Sequence, residues 1–435
     1  MNTIPDHYAL SRRTMLRGAA LLGAGSLLGG RAFAQGTGIE GEWPAVTALV
    51  ERYVKSRKVA GMVAALGWAD KAPGFIARGM EGFDDRDPGS AQSLYRAYSM
   101  TKPITGMAAM MLIDEGKLGL DQPLADFAPE FAKMQVAIDP AKSLAARPAQ
   151  SLITIRHLLT HTSGLGYAVV GRNKVGEELK RLGVNPGIIS KRRLPGINDG
   201  VPTPGPDEFL RRAALVPLVA EPGARWSYSM SLDVLGIVIG RIAGTSFEQF
   251  VAERVFGPLG MNSSYFHVPG SASPRLTTNY LLAGRRPIAI DRPGQSIYQD
   301  PIPFAFGGAG LVTSPADYDR FLAMIVNGGV ADGRRVMSEA AVRLGTSDLL
   351  PEGASLKGTW VEGNGFGAGG ISGKGKEEGL YGWSGAAGTV GYAQTRLKLR
   401  SGLFVQYMPQ DRLPVLREFP LAVGADLAVR MQGSK

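Results

Sequence analysis

The chain has 435 residues, 44% of them hydrophobic and 20% charged, no cysteine, and a formal net charge of +10. Without cysteine there is no disulfide, no thiolate nucleophile and no Cys-ligated metal, and the apolar content is ample for a large core at this length. The basic residues are scattered apart from Lys191-Arg192-Arg193 and carry no interleaved aromatics, so the excess reads as a solvated surface and no nucleic-acid partner is expected.

Ser11-Arg12-Arg13-Thr14 precedes a Gly-rich apolar run over 18–30 and the small-residue site Ala32-Phe33-Ala34. That is the pattern of a cleaved export signal over residues 1–34, and the paired arginines point to the twin-arginine route and a periplasmic location. The run is shorter than the ~20 apolar residues a bilayer span needs. No other segment is long and apolar enough, so no span is expected in the mature chain.

Trp43, Val46, Leu49, Val50 and Tyr53 recur at helical spacing, and the β-rich run from Val59 to Trp68 follows. In Tyr95-Arg96-Ala97-Tyr98-Ser99-Met100-Thr101-Lys102-Pro103-Ile104-Thr105-Gly106, a hydroxyl stands three residues ahead of an amine where an apolar helical repeat begins. Positions i and i+3 share a helix face, so the Lys102 ammonium can sit against Ser99 Oγ and favour its ionised form. Pro103 is tolerated only in a first turn, which puts Ser99 at the positive, N–H-rich end of the helix. Gly116 is the predicted stop.

From 99 to 311 helical patterns alternate with Pro/Gly-rich loops such as Pro202-Thr203-Pro204-Gly205-Pro206. His157 and His161 stand at i and i+4, a spacing that can hold zinc, but Leu158 replaces the Glu of His-Glu-x-x-His and no third ligand is evident. Structural roles are expected instead, tying the helix end to the Thr162-Ser163-Gly164 loop, and no metal is expected. Gly365-Phe366-Gly367-Ala368-Gly369-Gly370 fits a dinucleotide pattern formally but lacks the following helix. A mobile loop beside the active site is expected there, and no cofactor.

Thr389–Leu397 and Gly402–Met408 read as two strands joined by a turn around Arg400-Ser401-Gly402, and Leu413–Met431 as a helical close interrupted at Pro420. Strands and flanking helices at both ends predict one α/β sheet domain from residues 40–98 and 311–435, with a mostly helical insert over 99–310.

Two further segments join Ser99-x-x-Lys102. Pro222-Gly223-Ala224-Arg225-Trp226-Ser227-Tyr228-Ser229-Met230 places a tyrosine after a Pro-Gly turn and ahead of a helical run, where it serves either as a half-buried structural residue or as a phenol projecting into a cleft. A neighbouring ammonium is what would tune a phenol as a general base. Gly382-Trp383-Ser384-Gly385-Ala386-Ala387-Gly388 precedes the strand at Thr389; its small residues either form a bend or let the backbone approach a substrate and offer N–H groups to an oxyanion. The same stretch nearly fits a Gly-x-Ser-x-Gly elbow with Ser384 as nucleophile. That fold needs its histidine after the serine, and His7, His157, His161 and His267 all come earlier.

Ser99-x-x-Lys102, Tyr228-x-Met230 and Trp383-Ser384-Gly385, in that order, resemble the three-motif site of the serine β-lactamase and penicillin-binding-protein superfamily. The likeness is to its class C-like branch, with the family VIII carboxylesterases and related transesterases. Ile153 to Leu165, Leu259-Gly260-Met261 and Gly307 to Asp317 extend it over nearly all of the mature chain. The resemblance implies a β-lactamase-like α/β fold, with Ser99 as acylated nucleophile, Lys102 as its activator and Tyr228 as proton shuttle. It further implies the N–H groups of Ser99 and Ala386 as oxyanion hole, with Tyr98, Met230, Trp383, Ser384 and Gly385 around the substrate.

β-Lactam-active members usually carry Asn where Met230 stands and Lys or His where Trp383 stands. Both departures point to an acyl or alcohol pocket and neutral esters. The expectation is a carboxylesterase cleaving a small-molecule, short-chain ester through an acyl-enzyme, without cofactor. The alternatives are β-lactam or D-amino-acid peptide hydrolysis, acyl transfer, and a ligand-binding protein.

Overall fold

The computed structural model describes residues 38–433 apart from 171–172, 195–197, 199 and 285. The export-signal segment, residues 1–34, lies outside the described residues. Helices are named α1 (Pro44–Lys55), α2 (Thr101–Asp114), α3 (Ile155–Leu159), α4 (Ser231–Ala243), α5 (Pro315–Val326) and α6 (Val415–Gly433). The strands of the main sheet are β1 (Gly61–Trp68), β2 (Gly74–Gly79), β3 (Gly365–Phe366), β4 (Ile371–Ser372), β5 (Leu380–Ser384), β6 (Val390–Gln394) and β7 (Leu399–Phe404). Their order is β3-β4-β5-β6-β7-β1-β2, antiparallel throughout.

Both faces of the sheet are covered, and β1 shows why it is apolar along its whole length. Successive side chains of a strand point to opposite faces. Met62, Ala64 and Leu66 join the cluster formed with α1 and α6 through Val46, Val50, Tyr53, Val415 and Phe419. Val63 and Ala65 join the larger core with Met100, Ile104, Tyr318 and Phe321. The two chain ends are locked together by Asp426, whose carboxylate accepts from Ala45 N at 2.9 Å and Val46 N at 3.1 Å. It thereby satisfies orphan donors of the first turn of α1. The segment between the sheet's two halves carries α2, α3 and α4 among loops and small two- and three-stranded sheets, and a sheet flanked by helices on both faces is the β-lactamase-like arrangement expected.

Three local readings are corrected. The turn between the last two strands lies at Thr395–Lys398, not at Arg400-Ser401-Gly402, which belongs to β7. Lys398 takes the positive φ of 51°, while Arg400 is drawn into the interior by a two-pronged ion pair with Asp319 at 2.9 and 3.0 Å. Pro420 does not interrupt α6; Val415, Phe419 and Val423 are buried against the sheet, outweighing the ~3 kcal/mol that an interior proline costs. Finally, Gly365–Gly370 is not a free loop: Gly365 and Phe366 form β3, and 367–370 is the tight connection that pairs it with β4. Its glycines serve close packing on α2: a Cβ on Gly369 would collide with the Lys102 carbonyl oxygen.

Candidate active site

Ser99 sits in a short 3-10 turn, Tyr98–Met100, that leads directly into α2. The residue before it, Tyr98, is held at φ 43°, a left-handed conformation that costs a side-chain-bearing residue roughly 1–2 kcal/mol. The surroundings impose it. Thr101 Oγ1 donates to the Tyr98 carbonyl at 2.6 Å, Asn279 Nδ2 donates to the Tyr98 hydroxyl at 3.2 Å, and Arg96 behind them donates through Nε to Asp291 Oδ2 at 2.8 Å. Ser99 is partly exposed at the head of a buried helix, where N–H groups have no intrahelical acceptor.

Two groups converge on its oxygen. Lys102 Nζ, 0% exposed, stands 3.0 Å from Ser99 Oγ and donates to the Gly308 carbonyl at 2.7 Å. Tyr228 Oη is 2.7 Å from Ser99 Oγ, and the Lys102 ammonium lies 4.6 Å from the Tyr228 ring centre. Trp383, on β5, donates its indole N–H to Tyr228 Oη at 3.2 Å. The third motif thus reaches the site through its tryptophan.

The remaining residues of that motif have separate roles. Gly385 lets the strand edge press on the segment before the nucleophile, since a Cβ there would collide with the Ala97 carbonyl oxygen. Ser384 and Ala386 are partly exposed, and the Ala386 N–H makes no hydrogen bond among the described residues. Two expected substrate contacts are not available. Met230, at the N-cap position of α4, is 1% exposed and its side chain packs inward in the main core. Tyr98 is buried as well, with its hydroxyl bonded to Asn279.

The histidines split. His157 is at the start of α3 and not at its end: Thr154 Oγ1 accepts from His157 N, and His157 Nδ1 accepts from Thr154 N, a reciprocal cap. Burial pushes its imidazole down to about 4. His161 is buried, and its Nδ1 accepts from Ser229 N at 3.2 Å and lies 2.9 Å from Ser229 Oγ. Ser229, Ser231 and Ser163 continue a chain of hydroxyl contacts at 2.7 and 2.8 Å. That network clamps the segment carrying Tyr228, whose ring packs 4.8 Å from the His161 ring. Burial and the Lys102 charge hold His161 well below its ordinary value, so it stays neutral. Among the described residues no cluster of metal-ligating side chains occurs.

Residues that motif spacing does not reveal complete the walls. Trp226, Trp360, Phe366 and Tyr167 surround Tyr228 and Trp383 with ring separations of 5.2 to 5.9 Å. Asp233, in the first turn of α4, is buried and accepts from Gly308 N at 2.8 Å. A serine flanked by an ammonium and a phenol at a helix N-terminus can form and release an acyl ester.

The chain is similar to proteins of matching architecture. It is 35% identical over 347 residues to Protein Rv1367c of Mycobacterium tuberculosis, covering 75% of this chain and 82% of that protein. It is 32% identical over 298 residues to Esterase EstB of Burkholderia gladioli, covering 64% and 68%. It is 28% identical over 241 residues to Monacolin J acid methylbutanoyltransferase of Aspergillus terreus, covering 52% and 51%. Among solved structures, EstCE1, a hydrolase with promiscuous acyltransferase activity, superposes with a TM-score of 0.71 at 22% identity over 89% of this chain and 98% of its own. The Beta-lactamase family model matches residues 46–417, a span that takes in all three motifs and the whole sheet. On that match the chain belongs to the Beta-lactamase family, whose fold carries serine hydrolases and acyltransferases.

Proposed function

We propose that the protein is a serine carboxylesterase acting on short acyl esters of small molecules. The observation that carries this reading is the convergence of Tyr228 Oη and Lys102 Nζ on Ser99 Oγ, at 2.7 and 3.0 Å, with Trp383 donating into the same phenol. Ser99 Oγ attacks the ester carbonyl and its proton passes to the Lys102/Tyr228 pair. The carbonyl oxygen collects negative charge between the N–H groups of Ser99 and Ala386. The alcohol leaves with the proton, and water then repeats the sequence on the acyl-enzyme.

An aromatic wall is suited to neutral acyl and alcohol groups and offers no cation to a substrate carboxylate. That favours esters over β-lactams, and the 32% identity with Esterase EstB supports it. Acyl transfer is the second reading, supported by the similarity to a methylbutanoyltransferase; it needs only an alcohol in place of water at the second step. Export through Arg12-Arg13 is part of the same proposal.

The test is turnover of p-nitrophenyl butyrate by the purified chain and its Ser99→Ala variant, with a fluorophosphonate probe to locate the nucleophile. The expected result is turnover that vanishes in the variant and a probe adduct on the Ser99 peptide. Turnover that survives Ser99→Ala would overturn the reading.

A further inference from the structure

Asp233 is a buried acid to which the acylation sequence assigns no step. It is 0% exposed, its Oδ1 accepts from Gly308 N at 2.8 Å, and its Oδ2 is buried with no hydrogen-bond partner among the described residues. An ionisable group left half-satisfied in an apolar interior is costly. A first-turn position explains why a carboxylate is tolerated on α4, but not why it should be fully buried with one oxygen bare.

The other end of the same peptide supplies the reason. Gly308 offers its N–H to Asp233 and its carbonyl to Lys102 Nζ, the latter at 2.7 Å. The ammonium is also fully buried, so it too lacks water and needs an opposite charge. The titratable groups facing Asp233 are Lys102 from α2 and Tyr167 from the loop after α3. Tyr228 and His161 enter through Lys102, over whose ammonium the phenol ring stands at 4.6 Å and whose charge acts on the imidazole. Burial and the charge of Asp233 itself hold the Tyr167 phenol neutral.

We propose that Asp233 is the buried counter-charge of Lys102, a positioning residue that, through the Gly308 peptide, fixes where the ammonium stands against Ser99. The inference rests on the reading of Ser99, Lys102 and Tyr228 as an acylating site. Burial, partly offset by the Lys102 charge, pushes the Asp233 carboxyl up to about 6. The counter-charge is therefore present at neutral pH and is lost as the medium becomes mildly acidic.

The experiment follows the rate at which an alkyl fluorophosphonate labels Ser99, read by intact mass across pH, in the wild type, Asp233→Asn and Asp233→Ala, with thermal melts of each. Asn keeps the acceptor for Gly308 N–H and removes the charge. The expected result is labelling at least about tenfold slower in Asp233→Asn, the effect of losing roughly one pKa unit of interaction, and loss of the wild-type inflection near pH 6. Wild-type rate and inflection in Asp233→Asn, with a defect only in Asp233→Ala, would mean that the side chain merely shapes the Gly308 loop and would overturn the proposal. If Asp233→Asn does not fold, the wild-type profile decides: an inflection near pH 6 supports the proposal and its absence overturns it. A chain that labels at Ser99 but turns over no ester would defeat the carboxylesterase reading and leave this inference standing, whereas a wild type that does not label at all would remove both.

Discussion

Trp383 Nε1 donates to Tyr228 Oη at 3.2 Å, and the same oxygen stands 2.7 Å from Ser99 Oγ. An indole nitrogen can only donate, so the phenol oxygen accepts on that side and is held toward Ser99 on the other. The third motif here addresses the phenol instead of a substrate anion. Trp383→Phe keeps a ring against Phe366 and removes the donor. Its kcat for p-nitrophenyl butyrate is expected to fall about three- to tenfold with KM little changed, the scale of one hydrogen bond. Steady-state kinetics with an unchanged kcat would show that the bond is incidental.

Tyr228→Phe removes the hydroxyl while keeping the ring between Trp226 at 5.9 Å and Trp360 at 5.2 Å. Turnover is expected to drop on the order of 100-fold or more, while the melting temperature stays close to that of the wild type because the packing survives. Near-normal turnover in a stopped assay would remove Tyr228 from the proton path.

Trp360 is 43% exposed although it packs against Tyr228 and, at 6.1 Å, against Trp226. A half-open indole at the mouth of the aromatic wall is placed to cover the apolar part of a substrate. For Trp360→Ala, KM should rise several-fold for p-nitrophenyl octanoate and change much less for the acetate, compared in one steady-state series. Equal effects on both esters would place Trp360 outside the acyl path.

His157 is the residue through which acid should weaken the fold. Burial holds its imidazole down at about 4 in the folded chain, against ~6.5 when unfolded. Folding is therefore favoured in full above about 6.5, and the contribution is lost as pH falls towards 4, because the unfolded chain takes up the proton first. Glutamine at the same position supplies the capping acceptor for Thr154 N without titrating. The melting temperature of His157→Gln should decline less than that of the wild type between neutral pH and pH 4. Parallel declines in a calorimetric series would assign the acid sensitivity elsewhere.

Much of the fold was legible because it is written in local patterns: the spacing of Trp43 to Tyr53, the apolar run of β1, and the order of the three motifs. The Ser99–Lys102 pairing is likewise a property of one helical turn. What escaped depends on partners remote in the chain. Arg400 reads as a turn residue until Asp319, 81 positions away, draws it inward. Pro420 reads as a break until the sheet holds Phe419 and Val423. Gly365–Gly370 reads as a mobile loop until β3 and β4 pair across it and α2 packs against Gly369. In the site, Met230 and Tyr98 keep their motif positions but turn their side chains inward. Asp233 gave no signal, since an acid at the start of an apolar helix looks like a cap until its burial is seen.

The most direct test of the account is a side-by-side rate measurement of p-nitrophenyl butyrate and a chromogenic cephalosporin with the mature chain and its Ser99→Ala variant. The account predicts ester turnover that depends wholly on Ser99 and far exceeds cephalosporin turnover. Faster cephalosporin hydrolysis, or ester turnover that persists without the Ser99 hydroxyl, would contradict it.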